Sequence, residues 1–218
     1  MQLIYRRSDK MAKHCSSPKA ALPKLKSTVR YLLVRLKPSA MTAARGPYPA
    51  LADVCPPCGR RVPRALTLLV RELEAHVRTD GIYKRCGDAN EVETILRNLD
   101  SVDLSSIDGI TLAECVKTFL WQLKEPLIPS ADLHSFTGAL SATDREGALR
   151  GCIEILPEAE RDTIEFMMGH WREVLAASLH NGLTVSSLAT VLAPFIAGFS
   201  NERVSIDVTE ALLRIDWH

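Results

Sequence analysis

Cys55-Pro56-Pro57-Cys58 is the spacing in this chain that most directly points to metal chemistry. A structural zinc ion needs four thiolate or imidazole ligands, so one C-x-x-C supplies only half a site. No second pair stands nearby, and His14 with Cys15 is too distant and isolated to complete it. A redox role would require a surrounding βαβ pattern, which is absent. No metal and no cofactor are therefore expected. No phosphate-cradling glycine loop, H-E-x-x-H pair or nucleophile elbow is present either. What is left are charged and polar residues with suggestive neighbours. Lys84 and Arg85 lie side by side in a loop bracketed by Gly81 and Gly87. Lys117 and Trp121 are spaced i and i+4, hence on one helical face. Asn181 precedes a glycine, where asparagine often caps a turn.

These residues have to be positioned by helices. From Pro63, the residues Leu66, Leu69, Val70, Leu73 and Val77 follow the i, i+3, i+4, i+7 pattern, ending near Gly81. A second helix should begin with Asp88 as N-cap and Glu91 as the partner in a capping box, with Val92, Ile95, Leu96 and Leu99 inward. A third carries Leu112, Cys115, Val116, Phe119, Leu120 and Leu123, ended by Pro126. Shorter helices are expected over 133–140 and 146–155. Pro157 then opens a long one with Ile164, Met167, Met168, Trp171, Val174 and Leu175 inward. Thr184 caps another, expected to break at Pro194, and 208–217 forms the last. No strand-like alternation follows Pro63, so the expected fold class is all-α, a multi-helix bundle over 63–218.

The chain is 218 residues long, 46% hydrophobic and 24% charged, as in ordinary globular proteins. Residues 1–45 carry eleven Lys or Arg against one acid, Asp9, a net of +10; the remainder has sixteen basic against twenty-five acidic residues, or −9. Such a step separates a basic, flexible segment (1–45) from the domain, with 46–62 an extended, proline-stiffened lead-in. The basic segment could meet an anionic membrane surface, whereas the lack of interleaved aromatics argues against nucleic acid. No window approaches the roughly 20 apolar residues of a membrane span. No secretory signal is read either, so the expected location is cytoplasmic. Cys115 and Cys152 fall in apolar helical patterns, where a free cysteine is usually a small core residue.

Three segments in order resemble the Rho-family GTPase-activating (RhoGAP) domain. Gly81-Ile82-Tyr83-Lys84-Arg85-Cys86-Gly87 is similar to the family's G-[IL]-[FY]-R-x-S-G loop. Lys117-Thr118-Phe119-Leu120-Trp121-Gln122-Leu123-Lys124-Glu125-Pro126-Leu127-Ile128 is similar to K-x-F-L-R-x-L-P-E-P-L-[IL]. Asn181-Gly182-Leu183-Thr184, with Leu188-Ala189 and Ala193-Pro194, resembles N-x-M-[TS]-x-x-N-L-A-x-x-F-[GA]-P. Within the family the likeness is greatest to the Rac-directed activators of the centralspindlin complex, through Leu123–Leu127 and Leu156–Thr163. Cytoskeletal association and a part in cytokinesis would follow from that narrower likeness.

The resemblance implies a partner, a Rho/Rac-type GTPase in its GTP-bound form, to which the domain lends a basic finger. The chain itself would then be an activator and no enzyme. An arginine finger can be worth about 10³–10⁵ in rate by stabilising charge on the transferring phosphoryl group. The finger position here is Lys84, which keeps the charge but lacks arginine's planar fork. Arg85 is the neighbouring substitute. By the same resemblance Lys117, Trp121 and Asn181 are GTPase-binding positions. Trp121 replaces the family's arginine, and either offers an apolar contact or covers the core. A second function stays open: a GTPase-binding or scaffold module that does not accelerate hydrolysis.

Overall fold

Apolar residues at helical spacing fold the chain into ten helices packed on one core among the residues that the computed structural model describes, 49–217. These are α1 (Leu51–Val54), α2 (Arg64–Leu73), α3 (Ala89–Arg97), α4 (Gly109–Trp121) and α5 (Leu133–Ala139). There follow α6 (Arg145–Glu154), α7 (Glu158–Ala176), α8 (Ser178–Asn181), α9 (Val185–Ile196) and α10 (Glu202–Leu212). No strand occurs among the described residues, in keeping with the all-α expectation. The basic segment 1–45 lies outside them.

The central element is α4. Every residue from Gly109 to Lys117 is buried, so this helix is enclosed on nearly all sides. It packs against α2, α3 and α9. Asp108 starts it by accepting from the Ile110 and Thr111 amides at 2.8 and 3.1 Å and from the Thr111 hydroxyl at 2.7 Å. Three bonds from donors hold that carboxyl below the usual range, against the burial that would raise it. Asp88 likewise caps α3 through the Asn90 and Glu91 amides. The reciprocal capping box forms elsewhere, between Thr184 and Ser187 at the start of α9.

Three sequence expectations are corrected. The segment 46–62 is not extended throughout: 51–54 is a helical turn, Leu51 is buried, and the Arg61 amide donates to Asp162 at 2.8 Å. Apolar burial and a charge-assisted bond dock this lead-in on α7. Second, α9 does not break at Pro194 but runs on to Ile196. The proline sits in the last turn, and the terminal carbonyls of Phe195 and Ile196 accept from the Leu127 and Ile128 amides at 3.0 and 2.7 Å. The chain after α4 thus supplies the partners that a helix end needs. Third, the last helix begins at Glu202, six residues before the expected start, with the Asn201 side chain as its cap, and ends at Leu212.

The Gly81–Gly87 loop is tied into this core through one residue. Tyr83 is fully buried, has φ of +61°, and its hydroxyl meets Nε2 of His170 on α7 at 2.8 Å. Left-handed backbone at a non-glycine residue costs roughly 1–2 kcal/mol, so the buried ring and its hydrogen bond must hold it there. Burial pushes the His170 imidazole down to about 4. Its native-state pKa lies below the unfolded value, so its contribution to stability is complete above about pH 6.5 and shrinks as pH falls toward 4. Chemical denaturation between pH 7 and 4 should show about 3 kcal/mol of stability lost through this group. In His170→Gln that component of the acid dependence should vanish; an unchanged profile would show that His170 does not titrate in this way.

Candidate functional site

The loop between α2 and α3 owes its course to close packing at both ends. Gly87 lies so near α4 that a Cβ there would stand 2.9 Å from the Thr111 Cα, which no side chain could accommodate without backbone movement. At the other end the Gly81 amide donates to the Asn181 carbonyl at 3.1 Å, and the Arg85 amide returns to the Gly81 carbonyl at 2.8 Å. Tyr83, turned inward between them, leaves Lys84 and Arg85 as the residues at the loop's outer edge.

These two neighbouring cations point differently. Lys84 is half-buried, and its Nζ donates to the Gly182 carbonyl at 2.8 Å, across the gap to the turn between α8 and α9. Arg85 is exposed, and its stem folds back over Gly81: a Cβ added to that glycine would stand 2.6 Å from the Arg85 Cδ. The two side chains therefore do not share a target.

Lys117, expected at the binding surface, is instead buried: it is 1% exposed, its Nζ is 2.8 Å from Glu114 Oε2, and it donates to the Tyr83 carbonyl at 3.3 Å. It is brought to the Gly81–Gly87 loop, but from beneath. Glu114, which sequence reasoning missed, is the counter-charge; its i, i+3 spacing to Lys117 was the available signal.

Trp121, at the end of α4, is half-buried. Its ring meets Phe195 edge-on at 6.3 Å between centroids and Phe199 at 5.3 Å. Edge-to-face pairs of this kind add to the area they bury. Trp121 thus covers the core near the end of α9, and beside it Phe199 remains 43% exposed. Of the two alternatives for this residue, the packing on Phe195 and Phe199 gives the core cover.

Asn181 is buried as well, at 1% exposure. Its Nδ2 donates to the Val77 and Val174 carbonyls at 2.8 and 2.7 Å, and its Oδ1 accepts from the Leu183 amide at 2.9 Å. The structure therefore brings Lys84, Lys117 and Asn181 to one loop, while Trp121 lies one helical turn along α4 from Lys117.

The lone C-x-x-C carries free thiols. Cys58 is exposed and Cys55 donates to the Arg61 carbonyl at 3.1 Å, with burial raising the thiol's pKa. Among the described residues no group of three or more His, Cys, Asp or Glu is placed to hold a metal ion. Cys115 is fully buried, its thiol pushed up to about 12 by desolvation, which makes it a core residue.

Comparison with known proteins agrees with this architecture. The RhoGAP domain family matches residues 63–200. Rho GTPase-activating protein 27 of Mus musculus is 26% identical over 170 residues, 73% of this chain and 20% of that protein. Unconventional myosin-IXa of Homo sapiens is 27% identical over 145 residues, covering 63% of this chain and 6% of that one. The chain thus spans a fifth or less of the length of these relatives. Among solved structures, human Rho GTPase activating protein 15 superposes with a TM-score of 0.70 at 22% identity, over 88% of this chain and 96% of that one. These relatives are not of the centralspindlin type, so the comparisons support the family without that narrower likeness. With its helices, its buried Tyr83 and the Lys84 loop arranged as described, this chain belongs to the RhoGAP domain family.

Proposed function

We propose that the domain binds a Rho/Rac-type GTPase in its GTP-bound form and promotes GTP hydrolysis, with the ammonium of Lys84 as the finger. The observation that carries this reading is the mounting of Lys84. Its backbone is fixed by the buried Tyr83 before it and by the Gly81–Arg85 turn around it, while its side chain has one solvent-accessible tether, to the Gly182 carbonyl. A charge presented on a rigid loop costs little reorganisation when negative charge develops on a transferring phosphoryl group. The nucleotide, magnesium and attacking water belong to the partner, so the chain is an activator and carries no complete active site. Lysine retains the charge but holds a phosphate oxygen as a point donor, without the bidentate geometry of guanidinium, so acceleration is weaker than with arginine. Arg85, folded onto Gly81, is the lesser candidate for that role.

The partner's contacts and the place of action belong to the same reading. Trp121 with Phe199 offers the GTPase an apolar edge where the family has a cation. Action in cytoplasmic signalling belongs to this reading, and a place at the cytoskeleton in cytokinesis rests on the centralspindlin-type segments Leu123–Leu127 and Leu156–Thr163. Attraction of residues 1–45 to an anionic membrane surface rests on their net charge alone. A second reading is a GTPase-binding module without acceleration, favoured by the loss of both the finger arginine and the arginine replaced by Trp121.

Single-turnover GTP hydrolysis by purified Rac and Rho proteins separates the two. Under the activator reading the natural protein accelerates hydrolysis, Lys84→Ala abolishes the effect, and Lys84→Arg raises it about tenfold or more. Binding without acceleration, with activity appearing only in Lys84→Arg, would establish the silent module instead.

The buried ion pair gives a further prediction. Lys117→Met leaves Glu114 without its counter-charge and should cost about 3–5 kcal/mol in stability, read by chemical denaturation. Lys117→Met combined with Glu114→Gln should recover much of that loss. A single mutant as stable as the natural protein would mean that Lys117 does not hold a desolvated charge.

A further inference from the structure

Among the described residues, Leu179 is the most exposed of the large apolar side chains, at 95%, followed by Ile155 at 71%. A single exposed leucine is ordinary on a protein surface; the place of this one is not. It lies on α8, whose Asn181 is turned into the core. Successive helical residues are rotated by about 100°. Leu179, two places before Asn181, therefore points away from the core, and Gly182, three places after Leu179, returns to its side. The Gly182 carbonyl is the acceptor of Lys84 Nζ at 2.8 Å. Residues three apart on a helix stand about 5–6 Å from each other, which brings Leu179 within roughly 10 Å of the ammonium. Ile155, at the end of α6, has no such neighbour.

We infer that Leu179 is an apolar anchor for the GTPase, seated against an apolar side chain of the partner beside its phosphate-binding region. This rests on the reading above, in which Lys84 meets the partner's nucleotide. A specific interface covers about 800 Å² on each side, a patch roughly 30 Å across. A protein whose nucleotide Lys84 reaches therefore also covers Leu179. The leucine is held ready for that contact. The His180 and Asn181 amides donate to the Ala177 carbonyl at 2.9 and 3.1 Å, and the Gly182 amide donates to the Ser178 carbonyl at 3.0 Å. The turn that carries it is thus ordered before binding, which lowers the entropic cost of the contact. Its burial would take nearly the whole side chain out of water. That gain is the same before and during hydrolysis, so Leu179 acts on affinity, whereas Lys84 acts as charge develops on the phosphoryl group.

Titration with Rac and Rho proteins carrying a non-hydrolysed GTP analogue tests the anchor. The natural chain is compared with Leu179→Ala, Leu179→Asp and, as a control on another surface, Ile155→Ala. Leu179→Ala should weaken binding about tenfold, Leu179→Asp should weaken it further, and Ile155→Ala should not change it. All three should fold as the natural chain does, because the substituted side chains face solvent. Equal affinity for Leu179→Ala and the natural chain would overturn the anchor and leave the activator reading standing. A natural chain that binds without accelerating hydrolysis fails the activator reading, and the affinity of Leu179→Ala still decides the anchor. Binding to none of these proteins removes the occupant and overturns the inference. Sedimentation of the free chain addresses a second copy as the occupant. Concentration-dependent self-association that Leu179→Asp abolishes would assign the leucine to that contact instead, and would likewise overturn it.

Discussion

A lysine ammonium taken out of water beneath the Gly81–Gly87 loop is the interaction on which the loop's geometry depends. Lys117 reaches from the centre of α4 to the Tyr83 carbonyl, balanced by Glu114 at 2.8 Å. Burying such a charge is expensive, and the expense is offset only while the pair and the hydrogen bond persist together. The consequence is specificity of conformation at Tyr83. Its carbonyl is held from α4 and its hydroxyl from α7, so the left-handed turn that it adopts is determined from two sides. A loop attached by its exposed residues alone would have no such constraint. The next residue, Lys84, inherits a fixed backbone, and only its flexible stem is left to move.

The second support comes from the turn between α8 and α9. Asn181 joins Val77 beyond α2, Val174 near the end of α7 and Leu183 before α9 through its side-chain amide. The far end of α9 is closed by Leu127 and Ile128, in the chain segment that follows α4. Helix α9 thus links the seat of Lys84 to the segment beyond Trp121, and Trp121 itself packs on Phe195 in that helix's last turn. The parts that form the site are consequently coupled through the core, although they are far apart in sequence.

Most of the architecture was legible because apolar spacing is a direct record of burial. The inward faces of α2, α3 and α7 follow that spacing: Leu66, Leu69, Val70 and Leu73 on α2 are all buried. Leu96 and Leu175, however, are only half-buried, and Thr163 and His170 on α7 are buried without being expected. The limits of that reading appear where burial and polarity part company. Lys117 and Asn181 carry surface-type side chains, and nothing in local periodicity says that tertiary partners desolvate them. Helix α4 is enclosed all round, so a one-face pattern understated its burial, and Thr111 and Glu114 were passed over. At Pro194 the local rule anticipated a break. The tertiary bonds to Phe195 and Ile196, invisible in the local sequence, let the helix close one turn later. The motif positions themselves were found by resemblance; two of them, Lys117 and Asn181, are buried and bonded to internal carbonyls.

The tether between Lys84 and Gly182 bears on what a lysine can do at this position. A solvent-accessible hydrogen bond of this kind contributes on the order of 1 kcal/mol net. That is small beside the electrostatic gain available from a phosphoryl group acquiring charge in a water-excluded site. The tether therefore orders the resting side chain without trapping it. Lysine also has three donors on one nitrogen, so in a reaching conformation one hydrogen can go to a phosphate oxygen while another seeks a carbonyl. What it cannot reproduce is a planar fork whose two donors are set apart at fixed distance. Lysine and arginine would thus differ here in the geometry of the charged tip alone, since the backbone beneath it is held by the buried Tyr83, Lys117 and Asn181.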